Sequence, residues 1–95
     1  MRVISKRVLR EFWGAHPASA SSLAVWIGAI KHASPKNPGE LRAIFGSVDF
    51  VGKLVVFNIG GNKFRLIAGI DYRCQVVYVK HILTHKVYDE GTWKA

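Results

Sequence analysis

The segment Leu54-Val55-Val56-Phe57-Asn58-Ile59 is rich in β-branched and aromatic residues and runs straight into Gly60-Gly61. Two consecutive glycines supply the two positive-φ positions of a primed turn, so the chain must reverse here and pair with the run beginning at Lys63-Phe64-Arg65-Leu66. With Gly60-Gly61 as a two-residue loop, Ile59 faces Asn62, Asn58 faces Lys63, Phe57 faces Phe64 and Val56 faces Arg65. Side chains alternate across a strand, so this register sorts the residues onto two faces. Val55, Phe57, Phe64 and Leu66 form an apolar face suited to covering helices. Val56, Asn58, Lys63 and Arg65 line the other, which is expected to be polar and cationic.

A second reversal around Tyr72, Arg73 and Cys74 leads into Val76-Val77-Tyr78-Val79-Lys80-His81-Ile82-Leu83. A loop of two or four residues puts Tyr78, Lys80 and Ile82 on the Arg65 face, and His81 with Val77 and Val79 on the opposite one. Antiparallel pairing returns Leu83-Thr84 to the start of the preceding strand, so His85 is expected beside Lys63. Thr84 is a competent N-cap, and His85 to Asp89 is expected to begin a short helix whose first turn offers backbone N–H groups to an anion.

The first half of the chain reads as helical. After a β-compatible Met1 to Ile4, Ser5 is placed to cap a helix with Val8, Leu9, Phe12 and Trp13 at helical spacing, ended by His16-Pro17. Ser21 or Ser22 starts a second helix carrying Leu23, Trp26, Ile27 and Ile30, stopped by Ser34-Pro35-Lys36-Asn37-Pro38-Gly39. Glu40 to Phe45 suits one further turn, and Val48 to Val51 is weakly patterned. The expected fold class is α+β: two N-terminal helices packed on a small, mostly antiparallel sheet, in one domain spanning 1–95.

Charge then narrows the partner. Fourteen Lys plus Arg against six Asp plus Glu give a formal +8 on 95 residues, which favours polyanions through phosphate contacts and counterion release. The single cysteine, Cys74, excludes an internal disulfide and a Cys-based zinc site and fits a reducing cytoplasm. No apolar stretch is long enough to span a bilayer, and no membrane partner is expected.

Cutting RNA requires the 2′-hydroxyl to attack the adjacent phosphorus, with a group to take its proton, cations to stabilise the phosphorane and an acid for the leaving 5′-oxygen. His85 is the leading proton-transfer group, since an imidazole titrates near working pH. Arg65 is the leading phosphate clamp through its planar fork, with Lys63 as a point charge beside it. Tyr88 is a candidate for stacking, phosphate orientation or shared proton transfer. Asn58, Asn62, Lys80, Lys86 and Lys53 are candidates for holding RNA. Carboxylates are too few and scattered to suggest a magnesium site, and no metal or other cofactor is expected.

Each assignment has a purely structural alternative. His85 starts a helix, Arg65 has Asp71 or Asp89 as potential ion-pair partners, and Lys63 and Lys80 suit a solvated face or a guarded edge. Tyr88 suits packing under the last turn, and Asn62 and Gly60-Gly61 suit turn chemistry. His81 reads as structural. Lys6, Arg7 and Arg10 form a second basic surface, equally a solvated helix face.

The run Phe57-Asn58-Ile59-Gly60-Gly61-Asn62-Lys63-Phe64-Arg65-Leu66-Ile67-Ala68, followed by Thr84-His85-Lys86-Val87-Tyr88-Asp89, resembles the HigB group of RelE-like toxins. The resemblance covers most of the chain, including Leu41-Arg42-Ala43-Ile44-Phe45. It implies a RelE-like fold, endonucleolytic cleavage of messenger RNA, commonly during translation on the ribosome, and neutralisation by a HigA-like antitoxin of helix-turn-helix type. Two other classes stay open from the residues alone. A non-catalytic basic RNA-binding module would use the same face, with exposed aromatics stacking on bases. A regulatory protein would direct its charge at an acidic partner.

Overall fold

A computed structural model describes residues 1–61, 63–91 and 93. In chain order the elements are β1 (Arg2–Ile4), α1 (Lys6–Ala15), a 3₁₀ turn (Pro17–Ser19), α2 (Ala20–His32), α3 (Pro38–Ile44), β2 (Asp49–Val51), β3 (Leu54–Ile59), β4 (Phe64–Asp71), β5 (Val76–Thr84) and α4 (His85–Glu90). The strands form one sheet in the order β1-β5-β4-β3-β2. Every neighbouring pair is antiparallel except β1 with β5. This is the α+β architecture of a RelE-like fold.

One face of the sheet carries the main core. Val55, Phe57, Ile59, Phe64, Leu66, Ala68, Val77, Val79 and Ile82 pack there against Leu9, Leu23, Trp26, Ile30 and Leu41 from the helices. Phe57 is the hub, 2% exposed, with the rings of Trp26 and Phe45 meeting it edge-on at 5.3 and 5.2 Å. Leu23, Trp26 and Ile30 are buried at the expected helical spacing. The ammonium of Met1 donates to the carbonyls of Ile30 (3.0 Å) and Ala33 (2.7 Å), placing a cation where the α2 dipole is negative and tying β1 to that helix end.

Several sequence expectations are corrected in detail. Ser5 does not cap α1 through its side chain; it sits in the left-handed region at φ 74° and acts as a corner between β1 and α1. The second helix begins at Ala20, because Pro17 fixes a 3₁₀ turn that leads directly into it. Val48–Val51 proves to contain an edge strand, β2, whose pairing with β3 overrides its weak pattern.

The β3–β4 register differs by two residues from a two-residue loop: Ile59 pairs with Phe64, Asn58 with Arg65 and Phe57 with Leu66. Both Gly60 (φ 63°) and Gly61 (φ 68°) are left-handed as expected, but the reversal takes in residue 63 as well. A shift of two preserves the faces. The Arg65 face is nevertheless not a polar surface. Val56 and Ile67 are buried on it beneath Trp93, with Val51, Leu54, Leu83 and Tyr88 packed alongside, forming a second small core.

The β4–β5 loop has four residues, so parity first holds and Tyr78 pairs with Gly69 on the Arg65 face. Ala68 then pairs with Val79 but Ile67 with His81, so Lys80 is the extra residue of a β-bulge. Beyond the bulge the alternation inverts. His81 moves onto the Arg65 face and is exposed, while Ile82 joins the main core at 7% exposure. The expected placements of His81 and Ile82 are therefore both reversed.

Candidate active site

The end of the sheet where β4 begins and β5 finishes gathers the candidate chemistry. Phe64 pairs with Thr84 and Arg65 with Leu83, which returns the chain to the β3–β4 turn. There the backbone N–H of His85 donates to the carbonyl of Lys63 at 3.1 Å. Thr84 caps α4, its hydroxyl accepting from the Val87 N–H at 3.3 Å. The expected meeting of His85 with Lys63 and the Thr84 cap are thus both present. The N–H groups of His85 and Val87 are engaged in these bonds, so those two are not open to an anion at the first turn of α4.

Within α4, His85 and Asp89 lie one turn apart, and Nδ1 of His85 meets the Asp89 carboxylate at 2.9 Å. A carboxylate on Nδ1 favours the tautomer protonated there, which leaves the lone pair on Nε2. Both side chains are roughly half exposed, at 50% and 57%. The sequence offers Asp89 as a partner for Arg65, whereas its i, i+4 spacing from His85 is the signal for the contact it makes.

Arg65 is 9% exposed. Its Nη1 donates to the Phe64 carbonyl at 3.1 Å, and its guanidinium carbon lies 5.5 Å from the centre of the Tyr88 ring, a cation–π contact. Among the described residues no carboxylate pairs with it, so neither Asp71 nor Asp89 plays that part. Tyr88 folds back over the sheet and stacks on Trp93 at 5.1 Å with an interplanar angle of 15°. The Trp93 Nε1–H donates to the Tyr88 carbonyl at 2.9 Å, locking the pair. Trp93 follows Gly91 in a segment without periodicity, and nothing in the sequence pattern announced it.

The remaining candidates divide by position. Lys63 is exposed at the turn, Lys86 is exposed in α4 beside His85, and Asn58 lies across from Arg65 with its amide donating to the Ser47 carbonyl at 3.4 Å. Asn62 lies outside the described residues. Lys53 is not brought to this end: it occupies the β2–β3 turn, next to Leu54, which pairs with Gly69. At about 3.3 Å per residue that is roughly 15 Å or more away. Lys80 is the unpaired residue of the bulge, its stem beside Gly69, four residues along β4 from Arg65. Among the N-terminal basics, Arg7 pairs with Glu11 at 2.9 Å in an exposed contact that contributes little.

The perturbed groups lie at the opposite end of the sheet. Asp71 is held below its usual carboxylate range, chiefly by the backbone N–H of Cys74, while a side-chain hydrogen bond to the Asp71 carboxylate and its charge push the Cys74 thiol up. Burial raises the Tyr72 phenol. No helix among the described residues is long and apolar enough to cross a membrane.

Comparison with known proteins identifies relatives of the chain as a whole. The family described as HigB toxin, "RelE-like toxic component of a toxin-antitoxin system", matches residues 19–91. The mRNA interferase toxin HigB of Escherichia coli (strain K12) is 32% identical over 92 residues, covering 94% of this chain and 88% of that protein. The mRNA interferase HigB of Escherichia coli O6:H1 is 34% identical over 95 residues, covering 97% and 92% respectively. A match spanning both the β3–β4 hairpin and α4 means that the chain belongs to the HigB family of RelE-like toxins.

Proposed function

We propose that this chain is an endoribonuclease toxin that cuts messenger RNA at the end of the sheet where His85, Lys63, Arg65 and Tyr88 converge. The observation that carries this reading is the tether between the His85 N–H and the Lys63 carbonyl. It fixes the backbone of His85 against that of Lys63, with the Arg65 guanidinium and the Tyr88 ring in contact on the adjoining strand and helix. Proton transfer plus paired cations is the chemistry that phosphodiester cleavage by a neighbouring hydroxyl requires.

In the proposed reaction the 2′-oxygen forms a bond to phosphorus and its proton passes to a base. The bond from phosphorus to the 5′-oxygen breaks, and that oxygen takes up a proton. The products are a 2′,3′-cyclic phosphate and a free 5′-hydroxyl. His85 carries proton transfer through Nε2, with Asp89 fixing the ring. Arg65 and Lys63 offset the charge that develops on the non-bridging oxygens. A largely buried guanidinium with no carboxylate partner among the described residues is costly unless an anion completes it, and a phosphate is suited to that role. Tyr88 orients Arg65 through its ring, and Asn58 and Lys86 contact the RNA.

The messenger is met on the ribosome in the cytoplasm, and a HigA-like helix-turn-helix antitoxin neutralises the toxin. Expression in a host lacking that antitoxin is expected to arrest growth. His85→Ala, accumulated to the same level, is expected to relieve the arrest. Normal growth with abundant folded parent protein would overturn the proposal.

A further inference from the structure

The bulge at Lys80 creates a feature that the cleavage site does not use. Tyr78 is 39% exposed and stands opposite Gly69, where a built Cβ would meet only the Lys80 Cε, at 3.7 Å. The Lys80 ammonium lies 5.8 Å from the centre of the Tyr78 ring. Because the bulge inverts the alternation, His81 is exposed on the same face as Tyr78 instead of lying two-by-two with the core residues. Arg2, paired with Val76, extends this face on the other side of Tyr78. The Asp71 carboxylate at that end is already engaged by the Cys74 N–H at 2.9 Å.

An accessible ring paired across from a glycine that the Lys80 stem covers, with a histidine and an arginine on the same face, has the composition of a single-strand stacking platform. Bases stack on the ring and the cations follow the phosphates. The same face leads along β5 to Arg65 and α4. His85 lies seven positions beyond Tyr78, about 23 Å at about 3.3 Å per residue, a span that a few nucleotides cover.

We propose that Tyr78, Lys80 and His81 form a subsite that binds single-stranded RNA flanking the cut, with a base stacked on Tyr78 and phosphates held by Lys80 and His81. This rests on the reading of the chain as an RNA-cutting toxin. The subsite accounts for the bulge as a device that places Lys80 and His81 next to Tyr78. A bulge that merely guarded the edge of β5 would leave RNA affinity indifferent to the Tyr78 ring.

The test uses the full chain carrying His85→Ala, so that RNA is bound without being cut, and measures the affinity of labelled single-stranded 12-mers and 4-mers by fluorescence anisotropy. Tyr78→Ala is expected to weaken the 12-mer by about 5- to 100-fold, as loss of one stacked base does. Tyr78→Phe is expected to restore binding, and the 4-mer is expected to bind equally in all variants. Lys80→Ala with His81→Ala should flatten the salt dependence for the 12-mer alone. A 12-mer affinity within twofold of the parent for Tyr78→Ala, or equal losses for both lengths, would overturn the subsite. Retained RNA affinity with lost antitoxin neutralisation would assign the face to the protein partner instead. Messenger cleavage by the chain with native His85 is scored separately: absent cleavage counts against the underlying enzyme, whereas cleavage with an indifferent Tyr78 counts against the subsite only.

Discussion

Replacing Asp89 with Asn separates a positioning group from a reacting one. Asp89 reaches His85 Nδ1 at 2.9 Å, but both side chains are about half exposed, at 57% and 50%. Exposed ion pairs contribute about 0.2–1 kcal/mol, and i, i+4 helical pairs about 0.2–0.5 kcal/mol. If that coupling measures how strongly Asp89 holds the imidazole, its loss lowers the correctly oriented fraction by about 1.4- to fivefold, taking about 1.4 kcal/mol per factor of ten. An amide at the same place still accepts a hydrogen bond, which moves the expectation to the lower end. Removing His85 itself deletes proton transfer, an effect of about 10²–10⁴. Single-turnover cleavage of a messenger on translating ribosomes reads both variants, with circular dichroism confirming that α4 persists. The expected order is a loss of at most fivefold for Asp89→Asn and at least a hundredfold for His85→Ala. Equal losses of a hundredfold or more would place Asp89 in the chemistry and refute its role as a brace.

Three further outcomes follow from the packing and the pKa directions. Phe57→Ala, at a ring 2% exposed between Trp26 and Phe45, should cost about 3–5 kcal/mol, lowering the urea midpoint by several molar or unfolding the chain; a shift below 1 M would contradict its place as the hub. Thr84→Ala removes the hydroxyl that caps α4 and should cost about 1 kcal/mol with reduced cleavage, while Thr84→Ser retains both; unchanged stability and rate would show that α4 does not need the cap. Because contact with Asp71 pushes the Cys74 thiol up, less thiolate is present near pH 8, so Asp71→Asn should accelerate iodoacetamide alkylation of this exposed cysteine; an unchanged rate would contradict the contact.

Local chemistry carried much of the site into the sequence. Gly60-Gly61 marks a reversal, Thr84 marks a helix start, and antiparallel return brings His85 to Lys63, so the meeting of these groups follows from turn and cap residues alone. The β3–β4 register missed by two, yet the faces survived because side chains alternate with period two. The β4–β5 bulge has no such protection: one extra residue, Lys80, exchanges the faces of His81 and Ile82, and no local preference distinguishes Val79-Lys80-His81 from a regular strand. The greatest difference concerns Arg65. Its face reads as open and cationic from β3 and β4, but Trp93, far along the chain, covers Val56 and Ile67 there and stacks on Tyr88. That contact depends on where a non-periodic segment after Gly91 lands, which is decided by tertiary packing.

In the proposed reaction His85 and its neighbours cut RNA through the 2′-hydroxyl. The direct measurement is to incubate an end-labelled messenger with the purified protein in excess chelator, with and without translating ribosomes, and map the new termini. Cuts ending in 2′,3′-cyclic phosphate, lost in His85→Ala while the variant stays folded, are the predicted result. Cuts of the same number and position in His85→Ala, or new termini that carry 3′-hydroxyls, would contradict it.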